Sequence, residues 1–162
     1  MNLLMGLSKM SDNLEELERR MRELERTEAS VGITNDGKHP NFDGSYHELM
    51  WLQHAGSSRQ NLPPRPLATI AMAGYDGKKA LKQGLDRYFS NIEKKGKVSA
   101  EDALMPFLKG LHEYSINIFG NKTFLEPNAQ FTIDKKGFDS PLIESGSTKD
   151  AWNIKINGTV IK

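Results

Sequence analysis

The sequence predicts an α+β fold: a small antiparallel sheet that includes a C-terminal β-hairpin, flanked by three to four helices, with an N-terminal amphipathic helix. The hairpin is predicted because apolar and polar residues alternate over residues 152–157, Asn157-Gly158 is a preferred two-residue turn, and residues 159–161 form the return strand. The middle of the chain instead repeats apolar residues at helical spacing. Because a two-stranded hairpin is only marginally stable, it needs a third strand, and residues 31–33 (Val-Gly-Ile) are the candidate.

The composition indicates one domain that completes its burial with partners. We expect residues 28–162 to form a single α+β domain and residues 1–27 to form a helix, either an arm or packed on that domain. Hydrophobic residues make up 37% of the 162-residue chain, and the mean hydropathy is −0.58. Both values are modest for a self-sufficient core.

Charge and residue usage exclude several classes of protein. The net charge of +1 creates no field that would indicate nucleic-acid or membrane binding. The chain has no cysteine, so it has neither disulfides nor thiolate metal sites. No run approaches about 18 apolar residues, and no secretory leader is recognisable. We therefore expect the protein to be made in the cytosol and kept there or built into something larger.

The N-terminal segment carries an apolar stripe at alternating spacings of four and three residues, the a/d pattern of a coiled-coil helix. Asp12 and Glu15 suggest a cap near residue 12. The helix is expected either to pack on its own domain or to dock on a neighbouring copy or another protein. The stripe consists of Leu3, Leu7, Met10, Leu14, Leu17, Met21 and Leu24. Three Glu–Arg pairs at i,i+4 add support: Glu15–Arg19, Glu16–Arg20 and Glu18–Arg22.

The next segments are a polar loop, a short helix and a stiff strut. Ser45 with Glu48 forms a capping box that favours a helix over residues 46–55, ending at Gly56, with a strand as the alternative because the apolar run is short. Three prolines in residues 62–67 predict an extended segment that joins no sheet. Its Arg65 is predicted to be held out rigidly, suited to a bidentate carboxylate partner.

Two longer helices are predicted in the middle of the chain. The first shows apolar residues at helical spacing over residues 78–92, and Gly96 is predicted to end it. Ser99 with Asp102 opens the second, which Gly120 closes. Pro106 lies inside this second helix, so we expect either a kink there or a start delayed to Met105.

Residues 126–146 (EPNAQFTIDKKGFDSPLIESG) read as a folded connector between the helical middle and the terminal strands. Asn128 is predicted to cap a helix that ends at Lys136-Gly137, where a left-handed residue is needed. Ser140-Pro141 predicts an extended stretch, and Gly146 permits a second sharp turn.

Two patterns in this chain resemble the signatures of one protein family. Pro127, Asn128, Thr132, Lys136, Gly137, Pro141, Leu142, Ile143, Ser145 and Gly146 make the pattern P-N-x-x-x-T-x-x-x-K-G-x-x-x-P-L-I-x-S/T-G. It resembles the C-terminal signature of the tail-completion (virion-morphogenesis, minor-tail) proteins of long-tailed bacteriophages. A capped helix ending in Gly, a polar loop and P-x-R-P resemble the middle signature of that family. The family usually has a glutamate before an aromatic-Gly pair and Phe after R-P, whereas this chain has His54-Ala55-Gly56 and Leu67.

The resemblance implies a structural virion protein with no catalytic activity and no cofactor. It implies a homo-oligomeric ring, commonly a hexamer, at the phage neck, assembled in the bacterial host cytoplasm. The ring would link the head connector to the tail and contact a connector or stopper and a tail tube or terminator. It would contact no membrane and read no DNA sequence, although genome DNA passes through it. Tail terminator, head-closure stopper and collar component all remain open.

The rigid, punctuated loops are predicted to be the docking surfaces between subunits. The residues expected at these contacts are Trp51, Pro63, Pro64, Arg65, Pro66, Asn128, Lys136, Gly137, Pro141, Leu142 and Gly146.

Two other functions remain open besides assembly. A metal-dependent hydrolase would use His47, Glu48 and His54, although two histidines seven residues apart on a helix lie about 10 Å apart. A DNA-contacting module would use the basic segment 78–97. The usual nucleophile-elbow, P-loop and dinucleotide motifs do not occur in the sequence.

Overall fold

The computed structural model describes residues 3–90, 92 and 98–162, and these residues adopt the predicted α+β fold. They form seven α-helices, a 3-10 turn over Ser58–Gln60, and three strands. No helix in the described part of the chain is long and apolar enough to cross a bilayer. In chain order the elements are α1 (Leu3–Arg26), β1 (Ala29–Ile33), α2 (Tyr46–Ala55), α3 (Leu67–Gly74), α4 (Lys78–Ser90), α5 (Ala100–Ile116), α6 (Gln130–Lys136), α7 (Ser147–Asp150), β2 (Trp152–Ile156) and β3 (Thr159–Ile161).

The sheet brings the two ends of the chain together, as the sequence predicts. Its strand order is β1-β2-β3, and both pairs are antiparallel. Val31 pairs with Ile154, and Ile154 pairs with Ile161 on the other side. Asn157 and Gly158 have φ of 47° and 81°, the left-handed pair that a tight two-residue hairpin turn requires. The pairing of β1 with β2 confirms residues 31–33 as part of the third strand.

The main core lies between α3, α5 and the sheet. Trp152 is its polar anchor, because its indole Nε1 donates to Ser115 Oγ at 2.8 Å and its carbonyl lies 2.9 Å from His112 Nε2. The buried residues of this core are Leu67, Ala71, Leu111, Ile118, Phe119, Leu125 and Trp152. The core thus ties the start of the hairpin to α5 and fixes the position of the segments that precede it.

Both predicted capping boxes form. The Ser45 and Ser99 hydroxyls accept the N–H of Glu48 and Asp102, whose carboxylates accept the serine N–H in return. The helix α5 therefore begins at Ala100 and includes Pro106, so the alternative of a start delayed to Met105 is wrong. It ends at Ile116, before the predicted stop. The predicted end of the preceding helix at Gly96 lies outside the described residues.

The helix α1 begins by Leu3, well before the cap suggested near residue 12. The proposed cap near residue 12 is wrong, because Gly and Ser in the first turns cost too little to stop a helix with a continuous stripe. Two of the predicted ion pairs form, Glu16–Arg20 at 2.8 Å and Glu18–Arg22 at 2.7 Å. Arg19 pairs with Glu16 and Glu23 instead of Glu15.

The C-terminal half of α1 is anchored to α4 and α5 by a buried polar cluster. The Arg20 side chain is fully buried, donates to the carbonyl of Tyr88, and stacks 5.4 Å from the centre of its ring. The Tyr88 hydroxyl donates back to the Arg20 carbonyl and to Glu23, both at 3.0 Å. Glu23 also accepts the N–H of Ala100 at 3.0 Å, and this backbone bond is the first cause of its lowered pKa.

The apolar stripe of α1 faces solvent along much of its length. Met10, Leu14 and Met21 are 63%, 56% and 57% exposed. Leu24, at the end of the stripe, packs on the Tyr88 cluster. The domain thus holds α1 through the flank beside the stripe and leaves much of the stripe uncovered.

Candidate functional site

The two segments that carry the family resemblance pack against each other through Arg65. Its Nε donates to the Glu126 carbonyl at 2.9 Å, and its Nη2 donates to the Pro127 carbonyl at 2.8 Å and to Asn128 Oδ1 at 3.2 Å. Its Nη1 donates to Gln53 Oε1 at 3.3 Å. Residues 62–67 (hereafter the proline segment) are thereby fastened to residues 126–146 (the connector).

The prediction that Arg65 is held out for a carboxylate partner is wrong for the single chain. The residue is only 4% exposed, and the ion pairs found among the described residues do not include it. Its partners are neutral oxygens, and burial lowers the pKa of the guanidinium while the charges of Asp139 and Glu126 oppose that change. A buried cation without a directly bonded counterion is costly. Four hydrogen bonds offset that cost, leaving one of the five guanidinium N–H groups unused.

The Asn128 side chain accepts a hydrogen bond from Arg65 and does not cap α6. The residue at the cap position is Ala129, with no side-chain cap bond, so the predicted cap is wrong by one residue. The Asn128 N–H donates to Asp139 Oδ1 at 3.0 Å, and its Oδ1 accepts from Arg65. Its Nδ2 is buried and has no acceptor among the described residues.

The predicted helix end at Lys136-Gly137 is confirmed. Gly137 has a φ of 78° and donates its N–H to the Ile133 carbonyl at 2.7 Å. Lys136 is half-buried, and its Nζ donates to the Ile143 carbonyl at 2.6 Å. Burial lowers the pKa of Lys136, the charge of Arg65 lowers it further, and Glu144 and Asp139 oppose both. The positive charges of Lys136 and Arg65 therefore lie close enough to repel each other.

The remaining turns of the connector fix its far end. The Pro141 carbonyl accepts from Gly120 at 2.9 Å, and Gly146, with a φ of 86°, precedes α7. The sharp turn at Gly146 is thus confirmed.

His39 is a buried residue of the loop before α2 that the sequence did not single out as structural. It is 5% exposed, and its Nε2 lies 3.0 Å from Thr148 Oγ1 and 3.1 Å from Ser147 Oγ. Its Nδ1 accepts the N–H of Asn41 at 3.1 Å, so the ring carries its proton on Nε2. His39 thereby ties the loop before α2 to α7. A histidine in a polar loop gives no sequence signal for contacts more than 100 residues away.

A cleft of about 580 Å³ lies between α2, the proline segment and the connector. Six of the predicted contact residues line it: Pro63, Arg65, Asn128, Lys136, Leu142 and Gly146. The rest of its lining includes apolar side chains such as Met50 and Leu62, uncharged polar side chains such as Gln53 and Thr132, and the charged Lys135 and Glu144. The lining therefore mixes apolar and polar side chains and carries three cationic groups against one anionic group.

The other predicted contact residues lie outside this cleft. Trp51 is 72% exposed and stacks on His54, with ring centres 5.9 Å apart. Pro64 and Gly137 are exposed and Pro66 is half-buried. Pro141 is buried inside its own chain, so the expectation that its side chain contacts a neighbour is wrong.

The residues of the hydrolase hypothesis do not converge. The Glu48 carboxylate accepts the N–H of Ser45 at 2.7 Å, which is the first cause of its lowered pKa. His47 lies 4.0 Å from Asp36, and His54 stacks on Trp51. Within the described ranges, no three His, Cys, Asp or Glu residues are grouped so that they could hold a metal ion.

The basic segment 78–97 is only partly described, since residues 91 and 93–97 fall outside the described ranges. On α4, Lys82 is paired with Asp86 at 2.6 Å. No observation on this helix favours the DNA-contacting hypothesis over a solvated charged face.

Comparison of the chain with family models, curated proteins and solved structures gives no match.

Proposed function

We propose that this chain is a structural subunit of the neck of a long-tailed phage, where copies of it assemble into a ring that joins the head connector to the tail. In this role it catalyses no reaction. Its partners are further copies of itself and the neighbouring neck and tail proteins, and it resides in the virion after assembly in the host cytoplasm.

The observation that carries the proposal is the meeting of the two resemblance segments in one cleft. They are separated by some 60 residues in sequence, yet Arg65 of the first is bonded to three consecutive residues at the start of the second. Segments that together build one surface are expected to have one shared role. Bonds to backbone carbonyls also hold that surface rigid, and a pre-organised surface loses less entropy when it docks.

The uncovered stripe of α1 supports assembly independently. Three large apolar side chains of the stripe, Met10, Leu14 and Met21, are each more than half exposed, and Leu17 between them is partly exposed. Exposed apolar patches of this kind commonly mark protein–protein contacts. A ring requires each subunit to offer two different surfaces to its two neighbours, and the cleft and the stripe are two such surfaces.

Inactivating the gene in the phage that encodes this chain tests the proposal. We expect particles that fail to join, seen by electron microscopy as DNA-filled heads and separate tails. Restoring the gene in trans should return intact virions that contain the protein by mass spectrometry. Intact, infectious particles made without the protein would rule the proposal out.

A further inference from the structure

We propose that the exposed face of α1 in one copy docks in the cleft of the neighbouring copy, which makes the contact head-to-tail. This inference rests on the proposed ring and specifies which surfaces hold it together. The face in question, called the docking face below, consists of Leu14, Glu18, Met21 and Glu25.

These four residues lie on one side of α1. Their spacings of four, three and four residues place them along a single strip of the helix surface. All four are exposed, Leu14 at 56% and Met21 at 57%. The flank that packs on the domain is a different one, since it carries Arg20 and Glu23. The docking face is therefore apolar and acidic, and it is uncovered in the single chain.

The acidic residues of the docking face are available for new partners. Glu25 takes part in no ion pair among the described residues. Glu18 pairs with Arg22, but both side chains are more than half exposed, at 58% and 64%. Exposed pairs of this kind contribute little, so Glu18 can exchange its partner at small cost.

The cleft has the complementary character. Lys135 is exposed and has no ion pair in the described part of the chain, and Lys136 and Arg65 add two further cations. Glu144 on the lining offsets one of these charges. The same lining includes the apolar side chains of Leu49, Met50 and Leu62. An apolar surface with acidic residues at its edge fits such a cleft, whereas the apolar lining does not suit a nucleic-acid backbone.

The cleft also has unused hydrogen-bond donors. The Asn128 Nδ2 has no acceptor among the described residues, and one guanidinium N–H of Arg65 is left over from its four bonds. Both residues line the cleft, but both groups are buried in the single chain, so the exposed Lys135 is the donor that an acidic occupant reaches directly. A volume of about 580 Å³ admits several side chains of a helix that lies across the opening.

The occupant comes from a second copy. No residue of α1 lines the cleft of its own chain, and the C-terminal half of α1 is fixed to α4 and α5 by the Arg20–Tyr88 cluster. A contact in which one surface of a molecule binds a different surface of the next is heterologous and closes into a ring when the rotation permits.

Charge reversal and charge exchange in the full-length chain test this contact by sedimentation velocity over a range of concentrations. We expect Lys135→Glu or Glu25→Lys alone to weaken self-association roughly tenfold or more, and the combination of the two to restore most of it. Asp12→Lys, on the other side of α1, and Lys79→Glu, on α4, are matched controls and should leave the association unchanged. Loss without recovery in the combined variant would overturn the proposed pairing.

A mixing experiment separates this contact from a symmetric pairing of two α1 helices. Leu14→Asp impairs only the docking face, and Lys135→Glu impairs only the cleft. At a concentration at which neither variant associates alone, an equimolar mixture should form a one-to-one complex that does not grow. If Leu14→Asp abolishes association while Lys135→Glu has no effect, α1 pairs with itself and the inference is wrong. Unaltered chains that stay monomeric at every concentration overturn it as well. The proposed neck function is decided separately, by the gene-inactivation phenotype.

Discussion

Arg65 shows how one side chain can set the geometry of a surface. Its guanidinium spans acceptors on α2 and on three successive residues of the connector. A planar fork of five donors suits this task, and a lysine ammonium reaches fewer of these oxygens at once. The orientation of the proline segment relative to the connector therefore depends on the arginine itself as well as on its charge.

Arg65→Lys is expected to lower the free energy of unfolding by about 2 to 4 kcal/mol, because buried carbonyl oxygens lose their donors and the cation loses its bonds. Urea denaturation followed by circular dichroism measures the change. Arg59→Lys is the control, since Arg59 is exposed, and we expect almost no effect from it. Equal stability of the Arg65 and Arg59 variants would contradict the role given to Arg65.

The ion pairs of Glu16 are expected to make the stability of the fold depend on pH. Hydrogen bonds from Arg19 and Arg20 hold the pKa of Glu16 at about 2, against an ordinary value of 4.5. A lowered carboxyl pKa stabilises the fold above pH 4.5, and that contribution is lost as the pH falls toward 2. Glu16→Gln should therefore make the stability fall less steeply over this interval, measured by urea denaturation at several pH values. Glu15→Gln is the matched control and should follow the unaltered chain; identical pH profiles for the two variants would refute the assignment.

At the scale of single residues, the sequence predicts local bonds and misses distant ones. The Ser45 and Ser99 caps and the Gly137 helix end were predictable, because each depends on residues within four positions. Arg65 and Asn128 both line the cleft, but the bonds predicted for them were wrong. Their acceptors and donors lie about 60 residues away, and no local pattern encodes such a pairing.

At the scale of elements, α4 and α5 pack through one glycine. A Cβ at Gly84 would overlap the carbonyl oxygen of Ala103, which is backbone and cannot rotate away. The close approach of the two helices therefore requires a residue without a side chain at position 84.

Gly84→Ala is expected to destabilise the fold by about 1 to 3 kcal/mol through overpacking, despite the better helix propensity of alanine. Thermal unfolding measures the effect. Gly32→Ala is the comparison, because a Cβ there meets no atom within 4 Å, and alanine at such a position leaves stability unchanged or slightly raised. A Gly84 variant as stable as the Gly32 variant would mean that the helices are less closely packed.

The elements that sequence reasoning missed lack a periodic or capping signal. The segment Leu67–Gly74 of α3 is almost uniformly apolar and has no side-chain cap, so nothing in it distinguishes a buried helix from a continuation of the proline segment. The four-residue helix α7 is too short for any period. By contrast, the hairpin and α2 combine a pattern with a turn or cap at each end, and both were predicted correctly.

At the scale of the whole molecule, the fold presents two uncovered surfaces on separate elements. The cleft belongs to the segments around α2 and α6, and the docking face belongs to α1. This arrangement suits a subunit that is incomplete alone, in agreement with the modest hydrophobic content of the chain. The class of fold was predictable from the sequence, whereas the positions of the two surfaces depend on tertiary contacts of Arg20 and Arg65.

The most direct test of the central claim is a cryo-electron microscopy reconstruction of the neck in virions that carry this protein. The account predicts a closed ring of copies at the junction of head and tail, with α1 of each subunit reaching the next one. A neck reconstructed at side-chain resolution in which no density fits this α+β fold would contradict it.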